Sequence, residues 1–166
     1  MTTNYIVTIE YLHPEYEGYY ATDPENYNTI NWGSNTPITQ IALDSAWNAA
    51  ELNQAKRNKK TDMRLIRDAA FNKTVSYLGN DHEMQSKSTL YLIMAMAYIN
   101  AGNTLPVDFK MPISNGTGVT ADAAYIETLL SNTLSQMKNN MDIYISKCGI
   151  IDACSDTACV NAVTWS

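Results

Sequence analysis

The sequence predicts an α+β protein. It comprises a small N-terminal antiparallel β head over residues 1–35, a helical connector over 36–72, and a mostly helical body with a minor β-hairpin over 73–166. Three observations carry this. The first residues alternate as a strand does, two capped segments then follow a helical period, and a hairpin signal at Asn115-Gly116 separates two further helical stretches.

In "NYIVTIEYL", Tyr5, Val7, Ile9 and Tyr11 fall on one side and Ile6, Thr8 and Glu10 on the other, as a strand lying on a core requires. Two proline turns and a run of tyrosines ending at Trp32 complete an aromatic β layer. Thr36 and Pro37 then carry the chemistry of a helix start. An apolar stripe follows at Ile41, Leu43, Trp47, Ala50 and Leu52. Thr61 and Asp62 could open a second helix with Leu65, Ile66, Ala69 and Ala70 on one face, so the connector reads as two helices or one.

"KTVSYLGNDHE" reads as a short extended piece with a Gly-Asn turn, and "SKSTLYLIMAMAYINAG" as a helix, apolar all round and therefore central, ending at Gly102. Leu105, Val107, Phe109 and Met111 alternate before the Asn115-Gly116 turn and a return at Val119, with Pro112 marking an edge. From Thr120 and Asp122 a long helix carries Ile126, Leu130, Leu134, Met137, Met141, Ile145 and Cys148 on its expected buried stripe. Gly149 is a place for it to stop or bend, and Ser155 with Asp156 caps a last short helix holding Cys159, Val160 and Val163.

The chemistry expected is sparse. A net charge of −6 and a pI near 4.7 argue against nucleic acid, which requires a clustered basic face. The one basic run, Lys56 to Lys60, reads as a solvated face near a helix C-terminus. The N-terminus has no basic region followed by an apolar core, and the greasiest run, Leu90 to Ile99, is about half of the ~20 residues a bilayer needs. A soluble chain made in a reducing cytoplasm is therefore expected, with no membrane insertion. Cys148, Cys154 and Cys159 lack the spacing of a zinc knuckle and have no histidine nearby, so no metal is expected and three reduced thiols are favoured over a disulfide. Asp81-His82-Glu83 is the best acid/base cluster, read as a solvated turn whose side chains diverge, and His13 before Pro14 is read the same way. No phosphate loop, dinucleotide fingerprint, HExxH helix or nucleophile elbow occurs, so no cofactor and no enzymatic activity are expected.

Five stretches, "RLIRDAAF", "TVSYLGND", "SKSTLYLIMAMAYINAG", "LPVDFKMPISNGTGVTADAAYIETLL" and "IIDACSDTACVNAVTW", together resemble a domain of unknown function of bacteriophage and prophage proteins, found in tail-fibre-associated or tail-fibre-assembly proteins. The resemblance covers about residues 56–165. Phe109 stands where a Trp is common, and Ser114-Asn115 where Asp-Asn is common. Tyr27, Trp32, Pro37, Thr39 and Trp47 are similar to a phage tail segment.

The resemblance implies a virion protein, made in the host cytoplasm, that docks other tail or fibre proteins at the baseplate, collar or fibre attachment, as a homo-oligomer within a symmetric assembly. It also implies that Cys154 and Cys159 are packing residues, because the family tolerates small residues there. Trp32 and Trp47 are the candidate anchors between head and connector, and Tyr16, Tyr19 and Tyr20 the candidate exposed contact. A tail-fibre assembly chaperone absent from the particle, and a glycan-binding module in which the tyrosines stack on host sugars, are the alternatives.

Overall fold

The computed structural model describes residues 2–84 and 86–166; Met1 and Gln85 lie outside them. The fold is α+β, as expected: long helices combined with three two-stranded antiparallel sheets. The chain divides into two compact units, one formed by residues 1–62 with 148–164 and 166, the other by 63–147 with 165. The head falls wholly in the first unit. Connector residues 36–72 are shared between the two, and the last short helix, expected with the body, belongs to the first.

In the first unit, residues Tyr5–Leu12 are a helix, α1, and not the strand their alternation suggested. The Asn4 side chain decides this by accepting the Val7 N–H at 3.1 Å, a cap that an extended chain could not make. Burial then follows the helical spacing, at Tyr5, Thr8 and Ile9. The remaining β layer is a pair of two-residue strands, β1 (Tyr20–Ala21) and β2 (Ile30–Asn31), in the register Tyr20↔Asn31 and Ala21↔Ile30. After β2 the chain turns at Gly33, whose φ is +60°; a Cβ there would lie 2.9 Å from the Gly18 carbonyl oxygen, so only glycine fits.

Helix α2 runs unbroken over Gln40–Phe71, which settles the connector as one helix. Thr39, and not Thr36, supplies its cap, accepting the Ala42 N–H at 3.3 Å. Thr61 lies inside the helix, its hydroxyl donating to the Arg57 carbonyl at 3.1 Å. The buried positions are Leu43, Ala50, Met63 and Ala70; Ile41, Leu65 and Ile66, expected on the stripe, are exposed.

Helix α4 (Ala123–Ala153) passes through Gly149 without stopping. Its buried face holds Ile126, Leu129, Thr133, Asn140 and Ile151, while Leu134, Met141 and Ile145 are exposed and Cys148 is half-buried. Thr133 and Asn140 thus take places on the core line while Leu134 and Met141, expected there, face outward. Helix α5 (Thr157–Ala162) is capped by Asp156, which accepts the Cys159 N–H at 2.7 Å.

The basic run of α2 lies against the carboxyl ends of these two helices. Lys56 Nζ donates to the Asp152 carbonyl at 2.8 Å, Lys59 Nζ to the Asn161 carbonyl at 3.2 Å, and Lys60 pairs with the Asp152 carboxylate at 2.6 Å. Cations here meet the carbonyl groups that a helix end leaves without partners. Cys154 and Cys159 are joined in a disulfide, with Cα atoms 5.6 Å apart, and are not the reduced thiols the sequence favoured. The turn between α4 and α5 brings the two residues face to face, a geometry that their spacing alone does not reveal.

In the second unit, β3 (Thr74–Tyr77) and β4 (Asn80–Glu83) form a hairpin in the register Val75↔His82, turning at Leu78 and Gly79, both with positive φ. Helix α3 spans Ser86–Asn100. The hairpin of β5 (Lys110–Pro112) and β6 (Gly118–Thr120) turns at Asn115-Gly116 as expected, although strand pairing begins only at Lys110. Val75, Met84, Leu92, Met111, Ile126 and Leu129 form the centre of this unit's core. Beside it, the Arg67 guanidinium lies 4.6 Å from the Tyr144 ring centroid and 5.7 Å from that of Phe71, and is held by Asp68 at 2.6 Å.

The disulfide closes a loop of only a few residues, so its loss should cost about 2 kcal/mol on the chain-entropy scale. Cys154→Ser with Cys159→Ser is expected to lower the thermal midpoint as much as reduction lowers that of the wild type. The variant itself should not respond to reductant in the same melting experiment.

Candidate interaction surface

The surface begins with the composition of α3. From residue 88 to 107 the chain carries no charged side chain and no histidine. Such a helix should be buried all round, but only one side of it is. Leu92 and Ala95 face the core with Met96 and Ile99 beside them, while Leu90, Tyr91, Ile93, Met94 and Tyr98 are exposed, Met94 at 61%. The expectation of a central helix is therefore corrected: α3 lines the core with one face and presents an equally apolar one outward.

The end of α3 shapes this face into a groove. Gly102, with φ +83°, donates its N–H to the Ile99 carbonyl at 2.9 Å, and Asn103 donates to Tyr98 at 3.3 Å, a left-handed termination that turns the chain back. A second turn, closed by the Phe109 N–H to the Pro106 carbonyl at 2.9 Å, returns Phe109 to the helix. Its ring stacks on Tyr91, with centroids 5.5 Å apart and planes 6° from parallel. Tyr91, Met94, Tyr98, Leu105, Pro106 and Phe109 line a groove of about 280 Å³. Next to it Val107, expected to alternate inward, is 98% exposed. Aromatic rings and methionine without charge are the composition of the desolvated centre of a protein interface. Exposed apolar surface of this kind is a candidate contact site.

His82 lies beneath the hairpins and not on a solvated turn. It is fully buried on β4, so strand alternation sends Asp81 and Glu83 to the opposite side. The Pro112 carbonyl, 2.7 Å from Nδ1, can only accept, which places the proton on Nδ1. Nε2 then accepts from the Tyr125 hydroxyl at 2.8 Å. One imidazole thus ties β4 to β5 and α4. Asp81 accepts from Ser76, and its carbonyl receives the Ser114 N–H at 2.7 Å, so the triplet does not converge on a common point. His13 stacks on Tyr16 at 4.6 Å and bonds Glu15 at 2.8 Å.

No family model, curated protein or solved structure matches this chain. Among the described residues, no helix is long and apolar enough to cross a membrane, and no cluster of three His, Cys, Asp or Glu side chains could hold a metal ion.

The aromatic residues singled out in the head separate into two groups. Tyr16, Tyr19 and Trp32 pack against the core of Tyr5, Ile9 and Leu43, with the Tyr16 hydroxyl donating to the Thr36 carbonyl at 3.1 Å. Tyr16 and Tyr19 are thus half-buried, because the head has too few aliphatic residues to close its core without them. Tyr20 remains exposed, at 56%. Trp32 packs where head meets α2, through Leu43, while Trp47 is half-buried one turn further along, its buried indole N–H without a partner among the described residues. The α3 groove was missed in the sequence, although its uncharged run was in plain view.

Burial first, and the neighbouring Tyr77 hydroxyl to a smaller degree, pushes the Tyr125 phenol above its ordinary value, against a lowering by the Asn80 side chain. Tyr5 is raised as well, by burial and then by donating to Asp44 at 3.0 Å. A raised folded-state value means stability that is complete below pH ~10 and lost as pH climbs through the folded value. Denaturant unfolding of Tyr125→Phe should show a loss of about 1–3 kcal/mol at neutral pH, from the unsatisfied His82 nitrogen. It should also show a shallower decline than the wild type above pH ~10.

Proposed function

We propose that this chain is a non-enzymatic structural component of a bacteriophage tail, at the baseplate, collar or fibre attachment, that docks other virion proteins through the outer face of α3. The observation that carries the docking role is the uncharged aromatic and methionine groove of Tyr91, Met94, Tyr98 and Phe109, exposed on a helix whose other side already forms the core. Maintaining such a face in water invites aggregation unless a partner covers it. The tail context is supported by the sequence resemblance over about residues 56–165, which includes α3 and the loop that completes the groove. A symmetric assembly would present several copies of the face, in keeping with the closed symmetry of most oligomers.

The reading moves the main contact away from the head, since Tyr16 and Tyr19 are engaged in the head's own core. Met94→Asp with Tyr98→Ser is expected to fold normally by circular dichroism and to fail to enter particles. Quantitative mass spectrometry of washed phage particles checks this: the wild type should appear at a fixed ratio to other tail proteins, and the variant should be depleted at least about tenfold. A wild-type chain abundant in infected lysate but missing from particles would replace the structural role with that of an assembly chaperone.

A further inference from the structure

A second surface, in the first unit, has the opposite character. Residues 1–55 hold seven carboxylates and no lysine or arginine. Of the nearest basic groups in the sequence, Lys56, Lys59 and Lys60 are engaged with Asp152 and Asn161, while Arg57 is exposed. Within this region lies a cleft of about 410 Å³ lined by Ile6, Glu10, Tyr19, Tyr20 and Ala21. Ile6 and Glu10 stand one turn apart on the same side of α1. Tyr20 offers an exposed ring, and its hydroxyl accepts from Asn31 Nδ2 at 3.2 Å across the paired strands. Glu10 is exposed and makes no hydrogen bond or ion pair among the described residues. Its charge is nonetheless felt in the cleft: after burial, it is the second cause that raises the Tyr19 phenol.

We propose that this cleft binds the guanidinium group of an arginine presented by a basic partner segment, with Glu10 as the counter-charge and the Tyr20 ring as the stacking face. Guanidinium is the group that matches both features at once, since it is planar, stacks on aromatic rings and pairs with a carboxylate through two N–H donors. A neutral sugar would need several directed polar groups, whereas the side chains lining this cleft supply one carboxylate and two phenols. The site rests on the first unit alone, so its failure and that of the α3 docking face are independent.

The test is calorimetric titration of the full chain with a short glycine-spaced peptide carrying two arginines. The same peptide with citrulline at both positions and a neutral oligosaccharide serve as comparisons. The arginine peptide should bind, weaken as salt is raised, and exceed the citrulline peptide about tenfold or more. Glu10→Gln and Tyr20→Ala should each lower its affinity about tenfold, while Tyr20→Phe, which keeps the ring, should stay within about twofold. Should Tyr20→Ala fail to fold, Glu10→Gln, at an exposed position, decides alone. No binding of the arginine peptide overturns the proposal. So does equal binding of the citrulline peptide, binding of the oligosaccharide in its place, or affinity unaffected by Glu10→Gln.

Discussion

The second unit depends on one buried imidazole. Its two hairpins, of three or four residues per strand, are too small to be stable by themselves. The Pro112 carbonyl of β5 also needs a donor. His82 resolves both difficulties, donating to the Pro112 carbonyl of one hairpin from the other and accepting from Tyr125 on α4. Removing either partner would strand a buried polar nitrogen, which costs more than the bond itself contributes. With the hairpins fixed on α4, Val75 and Met111 complete the core against which α3 lays its inner face.

The parts of the fold that were legible in the sequence are those with local punctuation. The Asn115-Gly116 turn, the Gly102 termination and the Asp156 cap are each set by residues within a few positions of one another, and each lies where its chemistry indicates. What could not be read depends on distant partners or on competition between local signals. The β-branched, alternating start of the chain lost to a single Asn4 cap. The face of α4 was misassigned because Thr133 can be buried by returning its hydroxyl to the Leu129 carbonyl at 2.7 Å, leaving Leu134 outside. The place of His82 depended on a carbonyl thirty residues away and a hydroxyl further still.

The candidate surfaces show the same division. Tyr20 was legible as exposed, but Tyr16 and Tyr19 were not separable from it until the head's core was seen to need their rings. The groove on α3 was obscured by a sound rule, that an apolar helix is central, which holds for a helix with enough surrounding chain to cover it. Here the chain covers one side only. The two units therefore offer surfaces of unlike chemistry, one uncharged and greasy, the other acidic and aromatic. Unlike surfaces discriminate between partners more sharply than two copies of either would.

The division of the chain also bears on the order in which it is made. Apart from Trp165 the second unit is drawn from one stretch, 63–147, with its hairpins formed between near neighbours, whereas the first joins residues 1–62 to 148–164 and 166. Lys56 and Asp152 can meet only after all of the intervening chain has been synthesised. Closing so long a loop is costly unless it is already compact, and a folded second unit shortens it. During translation Lys56, Lys59 and Lys60 would wait for Asp152 and Asn161 while the later-encoded unit folds first.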